Sequence, residues 1–270
     1  MTSLDYIAIL SVLIIGVPHG GLDGAVARRI GWTPNFLGWL TFHLAYLVIA
    51  AVVTVIWWWF PTVSLGVFLA ISAIHFGVSD IRHIMEIGRN HWLPVIAHGG
   101  LVAIAIPAFH TEAVMPIFSI LVGDAGAQSL IAIIEYLIIA YVAIVITYLS
   151  YSFKFSKWRI PAANLFLLLV IAYLAAPLVS FAVYFCFWHS RTHTVRIWRS
   201  IDNIDRRRCF LEASLYSIFA WVAAATFFWY FKMTPDTALI QLTFIGLAAL
   251  TVPHMLLVDF ADSKLHRLMA

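Results

Sequence analysis

Apolar runs of about 17 to 25 residues, parted by short polar or basic stretches, recur along the whole chain. Nine are long enough, or nearly so, to cross about 30 Å of hydrocarbon as helices rising about 1.5 Å per residue. They cover residues 4–27, 35–59, 62–82, 92–109, 127–151, 160–176, 178–199, 208–231 and 237–260. The sixth is short and bounded by Pro161 and Pro177. A tenth piece, 113–122, is broken by Pro116 and too short to span, which suits a surface or re-entrant segment. The first run carries Asp5 and lacks the basic start and cleavage site of a signal peptide, so it reads as a transmembrane helix. The pattern predicts an all-α, polytopic transmembrane helix bundle, with residues 1–270 forming a single integral-membrane domain.

Composition agrees: 63% of residues are hydrophobic and 11% charged, where a soluble domain has about a quarter charged. The net charge of +3 therefore carries no nucleic-acid signal, and no nucleic-acid partner is expected. Cys186 and Cys209 make neither a disulfide framework nor a zinc spacing. Charge placement is more informative, because Lys and Arg gather in cytoplasmic loops. The odd-numbered connections hold Arg28, Arg29, Arg82, Arg89, Lys154, Lys157, Arg159, Arg196, Arg199, Arg206, Arg207 and Arg208, and the tail adds Lys264 and Arg267. Against these stands Lys232, with Arg191 inside the seventh run. Nine spans with the N-terminus outside and the C-terminus cytoplasmic satisfy every loop, whereas making 113–122 a span would invert the later ones.

The seventh run carries His189 and His193 four residues apart, which on a helix places both imidazoles on one face. Such a pair can share a metal ion. The alternative is that each is an interhelical hydrogen bonder. His19, His43, His75, His98 and His254 also lie within apolar runs, and with the pair they fall about 5 to 15 Å inside the cytoplasmic boundary. Histidines from six helices thus share a layer that could close around one ion. His83, His91, His110 and His266 fall in loops or the tail, where a solvated role is expected.

Asp23 lies one turn after His19 and offers an acceptor for the far nitrogen of a metal-bound imidazole. Asp80 follows His75 by five residues, is turned away from it, and better suits a histidine of another helix. Each carboxylate could equally be a plain partner for Arg28 or Arg82. Glycine and proline cluster in the same layer, at Pro18, Gly20, Gly21, Gly24, Gly77, Gly99, Gly100 and Pro253, where either ordinary helix packing or a bulky ligand would account for them. Phe76, Tyr184, Phe185, Phe187, Trp188 and Trp221 lie near this layer and would line a dry tunnel or simply pack the core. Trp57, Trp58, Trp59 and Trp229 suit the outer interface.

Three motifs, Pro18-His19-Gly20-Gly21-Leu22-Asp23, His75-Phe76-Gly77-Val78-Ser79-Asp80 and Trp188-His189-Ser190-Arg191-Thr192-His193, resemble in their order the Brp/Blh-type membrane β-carotene 15,15′-dioxygenases. The similarity runs over nearly the whole chain. It implies cleavage of β-carotene with dioxygen at the central double bond to give two all-trans-retinal. It further implies Fe(II) as cofactor, with His19, His75, His189 and His193 as the catalytic iron ligands. His98 and His254 are not carried over as ligands; with Asp23, Asp80, Phe76, Phe185 and Trp188 they are candidates for supporting or lining the site. The expected setting is the cell inner (plasma) membrane, crossed many times, with β-carotene and O2 drawn from bilayer and solution and a functional link to a retinal-binding rhodopsin. Two other readings compete: a membrane desaturase or hydroxylase, for which His189-x-x-x-His193 is the loosest pattern, and a b-type cytochrome anchor with haem held by two helices.

Overall fold

The computed structural model describes residues 1–32, 35–82, 91–200 and 203–269, and within these not the side chains of 19, 200, 203–205, 231 and 259–269. The side chain of His19, together with His83, Arg89, Lys264, His266 and Arg267, therefore lies outside the described residues. Among the described residues there are helices and no strands. In lipid this is expected, since a helix satisfies its own backbone groups.

Among the described residues, eight helices are long and apolar enough to cross a membrane: Ser3–Arg29, Phe36–Trp59, Pro61–Ile81, Trp92–Phe109, Asp124–Ser152, Ser156–Leu174, Arg206–Tyr230 and Pro235–Val258. They correspond to eight of the nine predicted runs. The other predicted run, 178–199, is helical without a break from 177 to 200. His189, Ser190, Arg191, Thr192 and His193 make it too polar to count by composition. Pro161 does not bound its helix but sits inside Ser156–Leu174. Likewise Pro116 does not break Thr111–Val122, which forms a full helix and packs on Asp124–Ser152 through Val114, Phe118, Leu121 and Val122. In both cases the proline is the sixth residue of its helix and forgoes one i→i−4 bond without ending it.

The helices near the motif histidines are not uniformly α. The first span passes through a π-helical turn at Val12–Gly16 and a 3-10 stretch at Val17–Leu22 before Asp23–Arg29 resumes the α form. Pro18, lacking an N–H, opens the ladder there. A second π segment, Leu101–Ala105, follows His98-Gly99-Gly100, and a third, Val183–Ser190, contains His189. A uniform period of 3.6 hides such turns, which are frequent at functional sites.

The chain divides into two compact units, residues 1–8 with 60–185 and residues 9–59 with 186–270. In the first, Pro61–Ile81 lies tightly on Trp92–Gly100. A Cβ on Gly77 would run into the Val95 carbonyl, and one on Gly99 into the Ala73 carbonyl, so glycine permits the approach. Tyr141 of Asp124–Ser152 covers Gly100 and donates to the Ala97 carbonyl at 2.7 Å. In the second unit, Asn203–Phe231 packs on 17–22, where Gly21 faces the Ala213 backbone. Leu22, Ala25, Ile197, Cys209 and Ala213 form a buried cluster beside this contact. Pro235–Met269 packs on Phe36–Trp59 and Asp23–Arg29. Trp58, Trp59 and Trp229 are exposed, as an interfacial belt requires, whereas Trp57 is buried.

Candidate metal centre

His189 and His193 are 1% and 2% exposed, with nearly parallel rings whose centroids lie 6.5 Å apart. The π segment ends at Ser190 and the α form resumes at Arg191, so the pair straddles the change of period. His254, from the Pro235–Met269 helix, brings its ring edge to 5.1 Å from that of His193. Its Nδ1 lies 2.7 Å from Asp23 Oδ1, and the Tyr46 hydroxyl donates to Asp23 Oδ2 at 2.9 Å. Tyr46 also reaches the Leu250 carbonyl, at 3.1 Å. Asp23 is 3% exposed, a depth at which a carboxylate persists only when bonded. It does not pair with Arg28, which instead meets Glu212.

Asp23, His193 and His254 each offer one ligand atom, and these lie within 4.8 Å of one another. Two imidazoles and a carboxylate, all buried, are the nitrogen and oxygen donors that borderline transition-metal ions accept. The residues present thus fit a metal of this class. Arg196 donates to His193 Nδ1 at 3.1 Å.

The other predicted residues divide cleanly. His75 is buried in the first unit beside Phe76. Asp80 in that unit accepts from the Tyr184 hydroxyl at 3.0 Å and faces His98 Nδ1, on another helix, at 3.6 Å. His98 Nε2 reaches the Tyr148 hydroxyl at 3.4 Å. Phe76 packs edge-on against Tyr184 and Phe185, and Phe185 stacks on Phe181, forming an aromatic cluster. Trp188 is half-buried.

The idea of six helices contributing histidines to one ion needs correction. His43 has both ring nitrogens engaged, by the Trp39 carbonyl at 2.7 Å and the Tyr216 hydroxyl, and is a structural histidine. Nor are all the loop histidines solvated. His91 is buried, and His110 donates to the Ala172 carbonyl at 2.8 Å, each close to a helix start where backbone and side chain are drawn inward. Sequence reasoning passed over Tyr46, Tyr148 and Glu212. The usable signal was a hydroxyl or carboxylate within an apolar run, which must find a partner when buried.

The chain was compared with known proteins. The profile of the family described as Beta-carotene 15,15'-dioxygenase matches residues 10–262. A protein named Beta-carotene 15,15'-dioxygenase from uncultured marine bacterium 66A03 is 35% identical over 267 residues, covering 95% of this chain and 94% of its own length. The Probable beta-carotene 15,15'-dioxygenase Blh of Halobacterium salinarum is 24% identical over 288 residues, covering 94% of this chain and 83% of its own. No solved structure matches. With profile and relatives both matching almost end to end, this chain belongs to the Beta-carotene 15,15'-dioxygenase family.

Proposed function

We propose that this chain cleaves β-carotene at its central 15,15′ double bond with dioxygen, releasing two all-trans-retinal. The observation that carries the reading is the 35% identity, over nearly the full length of both chains, with a protein named for that reaction. The ligands proposed for iron(II) are His19, His75, His189 and His193, in one catalytic domain spanning residues 1–270. When bound, iron(II) supplies the electronic means for ground-state dioxygen to react with a closed-shell alkene.

The protein's own part is binding, positioning and exclusion of water. Burial of His75, His189 and His193 keeps bulk water away from their rings. The rigid faces of Phe76, Phe181, Tyr184 and Phe185 suit a flat, rigid polyene, giving contact area without an ordering cost in the ligand. Asp80 holds the Tyr184 ring of that cluster through its hydroxyl. A substrate dissolved in lipid matches a site on apolar helices, and the setting proposed is a cell's inner membrane, with retinal passing to a retinal-binding rhodopsin.

The test is turnover by detergent-solubilised protein given iron(II), oxygen and no reductase. Retinal alone should form, at about two per β-carotene, and a strong iron chelator should abolish activity until iron(II) is returned. Replacing His19, His75, His189 or His193 with Ala should lower both iron content and turnover. A requirement for an electron donor, or unequal apocarotenal fragments, would sink the proposal.

A further inference from the structure

Each unit holds a buried aspartate that joins a tyrosine hydroxyl to a histidine lying outside the three family motifs. In the first, Asp80 Oδ2 accepts from Tyr184 at 3.0 Å and lies 3.6 Å from His98 Nδ1. In the second, Asp23 accepts from Tyr46 at 2.9 Å and from His254 Nδ1 at 2.7 Å. Each aspartate also closes a motif that carries a histidine, His75 or His19. The two arrangements differ in what the histidine meets on its other side. His98 Nε2 meets the Tyr148 hydroxyl at 3.4 Å, so both its nitrogens face polar groups of the protein. His254 instead sets its ring across that of His193, at 5.1 Å and 66°.

We infer that His254 is a metal ligand beside His193, positioned by Asp23 and Tyr46, and that His98 is its structural counterpart and binds no metal. This rests on the reading that the chain holds iron(II). An imidazole whose Nδ1–H is given to a carboxylate is fixed in the tautomer that presents the Nε2 lone pair. Tyr46 holds the other oxygen of Asp23, so the carboxylate itself cannot rotate freely. Metal–nitrogen bonds of about 2.0–2.1 Å put two nitrogens on one ion at most about 4.2 Å apart. One ligand atom each of Asp23, His193 and His254 lies within 4.8 Å of the others, a grouping of the size that a shared ion requires.

The test uses the wild-type holoprotein, so it does not depend on a variant folding. Bound iron treated with ascorbate and oxygen oxidises the residues that hold it, and peptide mass spectrometry reads 2-oxo-histidine. Modification is expected at His193 and His254 and not at His98, and replacement of iron by zinc should suppress it. As a second measurement, Asp23→Asn and Tyr46→Phe should weaken iron(II) binding in chelator competition, the former by about 10- to 100-fold. Iron-dependent oxidation of His193 that spares His254, or marks His98 equally, overturns the inference while leaving iron binding intact. Wild-type protein that holds no iron and shows no iron-dependent oxidation overturns the iron reading itself.

Discussion

Arg196 donates to His193 Nδ1, and a guanidinium has donors only. The bond therefore selects the His193 tautomer with its proton on Nε2, which cannot ligate through that nitrogen. Iron(II) at Nε2 and Arg196 at Nδ1 are in competition, with the positive charge adding to the opposition. Arg196→Gln supplies an amide oxygen that can accept from Nδ1–H and removes the charge. It should tighten iron(II) binding by about tenfold in chelator competition, and unchanged or weaker binding would show that iron does not reach His193 through Nε2. Part of this centre was legible in the sequence, because spacing within one helix is local information. His193 is marked by its four-residue separation from His189, and Asp23 by its place one turn after His19. His193 and Arg196 are also spaced to meet, but Arg196 read first as a topological charge. The His254–Asp23 bond could not be read, since it joins positions 231 residues apart and depends on how three helices pack.

At the scale of elements, hydrophobic runs located the helices because apolar length is a property of composition, while their ends and internal turns depend on hydrogen bonding that composition does not report. Proline shows the difference: Pro116 and Pro161 were read as stops and proved to lie within helices. Glycine needs a neighbour before it can be interpreted. Gly99 lies against the Ala73 backbone, whereas Gly246 has open space around the position of a Cβ. Gly99→Ala should destabilise the protein by about 1–3 kcal/mol through overpacking of two helix backbones. Gly246→Ala should stabilise it by about 0.5–1 kcal/mol by restricting the unfolded chain and favouring the helix. Thermal unfolding of the two variants in the same detergent checks the opposite signs, and equal shifts would contradict the close approach.

For the whole molecule, the distribution of Lys and Arg makes a claim about direction. Reporter tags at the N-terminus and after residue 233 should be accessible from outside, and tags after residues 203 and 270 from the cytoplasm. A cytoplasmic N-terminus would remove the common depth assigned to the histidines. The first span carries a different kind of consequence. Its π turn at Val12–Gly16 takes more residues per turn than an α-helix, and the 3-10 stretch at Val17–Leu22 takes fewer. Like a pair of opposite dislocations in a crystal, the two faults offset each other, so that the lattice is displaced only between them, and His19 sits in the displaced part. Replacing both by α-helix would restore the backbone bond that Pro18 cannot make and remove the displacement together. Pro18→Ala is thus expected to raise the thermal midpoint while lowering iron retention, a trade of function for regularity.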